Sequence, residues 1–335
     1  VVQRLLSPGE IESLDHNTIP RLLLPQPGSL FMERAARLRQ LAQGGVPGIP
    51  AQESIHGYLL LMAAVADAQA AVSAGAALPP LPDAHAIDTA LAHNMPPLPV
   101  SGQRPAGWRA VYTQLLDKLD AAASAQPQLA AVLAELRALG DAELEGSADA
   151  VLAQFGEGIN PLHAPFVAAA LQVLWTKHAS QLDPVRVQPP VTGTLCPVCG
   201  SHPVASVIRI GGQSQGYRYL HCGICASEWH MVRVKCSCCE QTAKIAYQGL
   251  TASDAPGDDA ADAAAPANKA QDPSRVMRAE TCDNCYSYRK IFNQEHDYAV
   301  EPLADDMASL ALDVLVTEAG YTRGSVNPLL WFGAA

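Results

Sequence analysis

Apolar side chains recur at helical spacing through the first half of the chain. Phe31, Ala35, Leu38 and Ala42 share one face, and Ile55, Leu59, Met62, Ala63, Ala66 and Ala70 form a second stripe. Trp108, Val111, Tyr112, Leu115, Leu116 and Leu119 make a third, and Leu129, Val132, Leu133, Leu136 and Leu139 repeat it up to Gly140. A last stripe, Phe166, Val167, Ala170, Leu171, Leu174 and Trp175, follows Pro165. Between the second and third stripes, residues 76–106 are broken by seven prolines and leave room for one short helix near 84–92. No alternation of strand type interrupts residues 30–180, so the pattern predicts an all-helical bundle over 28–183.

Prolines mark the boundaries of that bundle. Pro8, Pro20, Pro25 and Pro27 predict an extended arm over 1–27, and Pro184, Pro189 and Pro190 predict a linker over 184–195. The period then changes to two. VASVIRIG (204–211), GYRYLHC (216–222), EWHMVRVKC (228–236), TAKIAYQGL (242–250), SRVMRAETC (274–282) and YSYRKIFN (286–293) read as short strands. Residues 251–273 are acidic, low in complexity and free of large apolar side chains, which predicts a mobile insertion. Met307, Leu310, Ala311, Val314 and Leu315 predict one amphipathic helix before Gly320, within a C-terminal helix and tail over 301–335.

Composition narrows the function classes. The 335 residues are 49% hydrophobic and 16% charged, a globular balance, with a formal charge of −11 that disfavours broad attraction to nucleic acid or anionic membranes. The longest apolar run, YLLLMAAVA at 58–66, is about half of the roughly 20 residues a bilayer requires, so no membrane span is expected. The opening VVQRLLSPGEIESL has no apolar core followed by a small-residue cleavage site. All nine cysteines lie beyond residue 195 and eight fall in close pairs, which fits thiolate metal sites in a reducing compartment, the cytoplasm, better than a disulfide scaffold.

The pairs are CPVC (Cys196, Cys199), CGIC (Cys222, Cys225), CSCC (Cys236, Cys239) and CDNC (Cys282, Cys285). A two-residue gap lets one tight turn aim both thiolates at a single ion, and two such turns complete a tetrahedron. Between Cys199 and Cys222 the chain runs out along one strand, turns at GGQSQG and comes back. Between Cys225 and Cys236 there is one strand and no turn, which at about 3.3 Å per residue separates those pairs by about 25 Å or more. Between Cys239 and Cys282 a return is again available. The expected sites are therefore Cys196, Cys199, Cys222 and Cys225 for the first metal, and Cys236, Cys239, Cys282 and Cys285 for the second. Each lies in its own module of short antiparallel strands, over 196–235 and 236–300, which gives an α+β chain.

Redox dithiols are the competing reading of a Cys-x-x-Cys pair, but those open a helix after a strand, a context absent here. Closed four-thiolate sites are structural or electron-transferring, and ligand chemistry alone leaves iron and zinc both open. Cys238 is the odd cysteine and is expected to point away from the metal. His202, His221 and His230 lie near the knuckles in supporting or surface roles. His56, His85, His93 and His163 stand without any H-E-x-x-H, G-x-S-x-G or Walker pattern, and no catalytic residue emerges.

In order, CPVCGSHPV, GYRYLHCGICASEWHMVRVKC, CSCCEQ, CDNCYSYRKI, ADDMASLALD and GYTRGSVNP closely resemble the FdhE family of formate dehydrogenase accessory proteins. The likeness is dense over 196–330 and looser over LLLPQPGSLFMERAARLRQLA and HAPFVAAALQVLW. The extra thiol of Cys238 and the length of 251–273 depart from it, and neither removes an expected ligand. The resemblance implies a cytoplasmic, non-catalytic protein with rubredoxin-like iron sites, one ion per cysteine quartet, that binds the catalytic subunit of respiratory formate dehydrogenase during its maturation. Zinc is the alternative metal, and a second copy of the chain is a candidate partner, with the oligomeric state left open. Two other functions are weighed against this one. A zinc-ribbon nucleic-acid binder would use Arg209, Arg218, Arg233, Lys235 and Lys244 with Tyr217, Tyr219 and Trp229 between them. A rubredoxin-like electron carrier would use the iron pair directly.

Overall fold

The computed structural model describes residues 19–44, 53–75, 78–105, 107–154, 160–188, 192–250 and 275–330. The insertion expected over 251–273, most of the arm and the last five residues lie outside them. Helix α1 (Pro27–Gln43) opens with proline at its first position, where the missing N–H costs nothing, and stops at Gly44, whose φ is 74°. Helices α2 (His56–Ala74), α3 (Ala84–Ala92), α4 (Trp108–Ala123), α5 (Pro127–Ala138), α6 (Asp141–Ala153) and α7 (Ala164–Ala179) follow. Helix α6 has no strong apolar stripe, and its start is marked by Glu143, whose carboxylate accepts from the Gly140 amide at 3.1 Å.

Helix α7 is the axis of the bundle. Its residues from Ala164 to Thr176 are all buried, against α1, α2, α4 and α6. Glu53–Ala74 is the described segment long and apolar enough to cross a bilayer, and in the fold its Leu59, Met62, Val65 and Ala66 are packed away against α1, α4 and α7.

The second half forms one sheet. Strands β2 (Pro203–Ile208), β3 (Arg218–Cys222), β4 (Glu228–His230), β5 (Ile245–Gln248), β6 (Met277–Cys282) and β7 (Ser287–Asn293) join β1 (Leu22–Leu23) in the order β1-β4-β3-β2-β7-β6-β5, with β8 (Thr322–Arg323) beside β7. The two antiparallel ribbons are fused by a parallel seam between β2 and β7, with Ser206 opposite Ile291 and Ile208 opposite Asn293. The end of the arm also belongs to the sheet, since Leu22 pairs with Trp229 and Leu23 with Glu228.

The strand expected over 228–236 ends at His230, because Arg218 Nη1 donates to the carbonyls of Val232 and Lys235, at 3.2 and 2.9 Å, and draws that segment across the sheet. The single C-terminal helix is two, α8 (Pro302–Ala308) and α9 (Leu310–Glu318). At the break between them, Ser309 Oγ donates to the Asp305 carbonyl at 2.7 Å and accepts from the buried Lys290 ammonium at 2.9 Å. The apolar face changes there, so Met307 and Leu312 are buried while Val314 and Leu315 are exposed.

Helix α8 locks the bundle to the sheet. Arg34 and Arg37 of α1, both almost fully buried, reach Glu301 at 2.9 Å and the Asp305 carboxylate at 3.0 Å. Removing one member of such a pair strands a buried charge and costs about 3–5 kcal/mol.

Candidate metal centres

The four cysteine pairs adopt the same local turn. In each, the amide after the second cysteine donates to the carbonyl of the first, Gly200 to Cys196 at 2.8 Å, Ala226 to Cys222 at 3.2 Å, Glu240 to Cys236 at 3.0 Å and Tyr286 to Cys282 at 2.8 Å. The donating residue is left-handed every time, with φ of 79°, 56°, 62° and 51°. The chain then doubles back, so that Cys196, Cys222 and Cys236 donate to the carbonyls of Ser201, Ser227 and Gln241, while Cys282 pairs with Ser287 in the β6–β7 ladder. Three of the left-handed residues carry a side chain, at a strain of order 1 kcal/mol each.

This turn aims both sulfurs of a pair the same way, and the ribbons bring pairs together. The sulfurs of Cys196, Cys199, Cys222 and Cys225 all lie within 4.8 Å of one another, as do those of Cys236, Cys239, Cys282 and Cys285. Cys196 and Cys225 are 3.5 Å apart, as are Cys199 and Cys222, and the matching separations in the second quartet are both 3.8 Å. A tetrahedral ion about 2.3 Å from four thiolates sets its sulfurs about 3.8 Å apart. The donor set and its spacing fit a four-thiolate metal ion at each position.

Backbone amides prepare the sulfurs for negative charge. Ile224 and Cys225 donate to Cys222 Sγ at 3.4 and 3.3 Å, and Cys238 donates to Cys236 Sγ at 3.3 Å. Burial, then hydrogen bonding among the four sulfurs, pushes the Cys196 thiol up. Burial would raise Cys222 as well, but hydrogen bonds with the other three sulfurs and Ser201 hold it below the ordinary thiol range. Thiolates packed this closely repel one another, and a cation between them would offset that repulsion.

The quartets differ in their access to solvent. All four cysteines of the first are buried, whereas Cys239 and Cys285 of the second are half-buried. Cys238 stays outside the second quartet, with its sulfur 3.6 Å from Arg289 Nη2 and against Gly324, where a Cβ would come within 2.4 Å of it. Arg289 also donates to Ser237 Oγ at 3.0 Å and Ser325 Oγ at 2.5 Å, tying the third knuckle to the tail.

Ser201 and Ser227 belong to the first site as well. Ser201 Oγ lies 3.1 Å from Cys199 Sγ and 3.0 Å from Cys222 Sγ, and Ser227 Oγ lies 3.3 Å from Cys225 Sγ. Sequence reading passed them over, although Cys-x-x-Cys-x-Ser recurs at 196–201, 222–227 and 282–287. The nearby histidines have other partners. His221 Nδ1 lies 2.6 Å from Glu228 Oε1, His230 packs edge-on to Tyr217 and Tyr219, and the His202 amide donates to Gln154 at 2.8 Å. Farther away, His56 and His163 lie 2.7 Å from the Ala42 carbonyl and 3.3 Å from Glu135 Oε2.

The helical half is bonded directly into the first site. The amides of Leu98 and Val100 donate to the carbonyls of Val198 and Cys199 at 3.0 and 2.9 Å, and Pro96 packs on Gly200. Pro96, Leu98, Val100 and Gly200 form one wall of a cleft of about 1750 Å³ between α3, α7 and the proline-rich segment 96–105, with His85, His93 and His178 along it. Cys199 itself lines the cleft.

Comparison with known proteins agrees with this geometry. Models described as FdhE, N-terminal; FdhE, central domain; and FdhE, C-terminal domain match residues 19–192, 195–233 and 234–330. The chain is 36% identical to Protein FdhE of Escherichia coli K12 and to a Protein FdhE homolog of Cronobacter sakazakii, over 98% of this chain and 98% of each relative. The crystal structure of the FdhE protein from Pseudomonas aeruginosa superposes with a TM-score of 0.77 at 36% identity, covering 94% of this chain and all of that one. Matched nearly end to end by these relatives and across its length by the three family models, the chain with these two cysteine quartets belongs to the FdhE family.

Proposed function

We propose that this chain is a non-catalytic, cytoplasmic accessory factor that engages the catalytic subunit of formate dehydrogenase during its maturation, and that each cysteine quartet holds one iron ion. The observation that carries the reading is the repeated knuckle, which forms two all-sulfur tetrahedral donor sets in a member of the FdhE family. Cys196, Cys199, Cys222 and Cys225 hold the first ion, and Cys236, Cys239, Cys282 and Cys285 the second. Iron so held supplies a one-electron couple, whereas zinc in the same sulfurs supplies a cross-link without redox chemistry.

The basic stretch that favoured a nucleic-acid role does not form one surface. Arg218 is buried on Glu280 at 2.8 Å, Arg209 pairs with Glu228, and Lys235 pairs with Glu240 at 3.0 Å. Tyr219 and Trp229 are buried too.

The test combines metal analysis and client capture. Protein purified without oxygen should contain about two ions per chain with a thiolate-to-iron absorption band, and it should co-purify with the catalytic subunit of formate dehydrogenase. Cys196→Ser and Cys282→Ser should each remove one ion and lower the client's activity. A colourless zinc protein would end the redox part of the reading, and client binding and activity unchanged by loss of both ions would end the role of the sites.

A further inference from the structure

The sheet face on which Arg218 meets Glu280 is only partly covered. Residues 231–239 cross it, held by Arg218 to the Val232 and Lys235 carbonyls and by Arg289 to Ser237 Oγ. Side chains two residues apart on a strand share a face, so Arg278 stands beside Glu280, and Ile208 beside Ser206, past the edge of that cover. There the face opens into a groove of about 340 Å³. Its floor is Ile208 from β2 and Ile291 from β7, only 7% and 5% exposed, and therefore lies on the seam between the two ribbons. Arg233, Val234 and Tyr247 of β5 also line it, together with Arg275 just before β6 and Arg278 within β6.

Charge singles the groove out. A chain with a formal charge of −11 brings three guanidinium groups and His296 to one small concavity, where Glu295 is the carboxylate among the described lining residues. Glu295 is itself engaged, with its Oε1 accepting from Gln215 Nε2 at 3.4 Å. The three arginines come from the crossing segment, from the residue stretch just before β6 and from β6 itself, so no run along the sequence reveals them. Tyr247 is fixed by donating its hydroxyl to the Arg233 carbonyl at 3.2 Å, which keeps its half-exposed ring at the rim. No cysteine lines the groove.

Guanidinium forks match the oxygens of a phosphoryl group, and charge-assisted bonds of this kind are roughly twice as strong as neutral ones. The volume falls within the usual range of about 300–1000 Å³ for small-molecule sites, and the isoleucine floor beside a tyrosine ring suits a flat organic body. We propose that this groove binds a phosphorylated small molecule, with its phosphates between Arg233 and Arg278 and its body over Ile208 and Ile291 beside Tyr247. This site is independent of the cysteine quartets and of the role in maturation.

Calorimetric titration of the full chain with inorganic pyrophosphate and with ADP at low ionic strength tests the proposal. Both probes should bind, and Arg278→Ala should weaken each by about tenfold or more while metal content and melting temperature stay unchanged. Arg233→Ala, in the crossing segment, should do the same if Arg278→Ala disturbs the strand. Tighter binding of ADP than of pyrophosphate, lost in Tyr247→Ala, would place the organic body on the ring; equal binding would leave the diphosphate as the group recognised. No heat from either probe at about 1 mM would overturn the proposal. So would affinities indifferent to both arginine variants, binding of an oligonucleotide alone, or binding seen only after removal of the acidic residues 251–273.

Discussion

Gln172 on the buried face of α7 donates its side-chain amide to the Gly223 carbonyl at 2.7 Å, inside the CGIC knuckle of the first quartet. Its own carbonyl accepts from Gln69 of α2 at 2.9 Å and Arg34 of α1 at 3.4 Å. The centre of the helical bundle is thus bonded to one turn of a metal centre. Gln172→Leu preserves the volume but leaves the Gly223 carbonyl without its partner, and an orphaned buried group costs about 1–3 kcal/mol. Denaturant unfolding should show a loss of that size. Chelator competition should show faster metal release from the first site and an unchanged rate at the second.

That bond could not be read from the sequence, and the reason separates what was legible from what was not. Cysteine spacing specifies a local turn, so the four knuckles and their consecutive grouping follow from short-range geometry, as do helices with a strong stripe such as Trp108 to Leu119. The parallel seam of β2 on β7 depends on contacts across more than 80 residues, and no local pattern encodes it. Gln172 reads as one polar interruption of an apolar stripe. The break at Ser309 is set by Lys290 from strand β7, and the EWHMVRVKC alternation ends early because Arg218 captures the segment from across the sheet. Each failure is a long-range polar contact overriding a local preference.

Ala226 offers a test of the repeated turn. Its φ of 56° places a Cβ in the left-handed region, and its amide closes the second knuckle. Ala226→Gly relieves that strain and should stabilise the protein by about 0.5–1 kcal/mol, visible as a raised melting temperature. Ala226→Val should destabilise it by more than that and accelerate metal loss from the first site.

Acid sensitivity should centre on Glu228. Its carboxyl is buried, which alone would raise its pKa, but the Arg209 guanidinium and the hydrogen bond with His221 hold it down to about 2 from an ordinary 4.5. A carboxylate depressed in the folded state stabilises fully above its unfolded pKa, and the contribution fades as pH falls through the folded value. Here that is a contribution of about 3 kcal/mol, lost between roughly pH 4.5 and pH 2. Glu228→Gln should cost about that much at pH 7 and flatten the pH dependence of unfolding in that window, measured as the difference from the unsubstituted chain.

Unequal burial predicts unequal metal release. A chelator reaches the half-buried Cys239 and Cys285 before the enclosed first quartet, so release should be biphasic, with the fast phase absent in Cys285→Ser and the slow phase absent in Cys196→Ser. The slow phase carries its own optical reporter. Trp175 Nε1 donates to the Leu98 carbonyl at 2.9 Å, and the Leu98 amide in turn donates to Val198 in the first knuckle. Loosening of that knuckle frees the 96–100 segment and changes the surroundings of the indole. Tryptophan fluorescence should therefore follow the slow phase and ignore the fast one, with the change lost in Trp175→Phe. Trp229 donates to the Gly193 carbonyl and Trp108 to Glu145, neither of them a knuckle residue, so a fluorescence change that tracked the fast phase instead would contradict the proposed coupling between the proline-rich wall and the first metal centre.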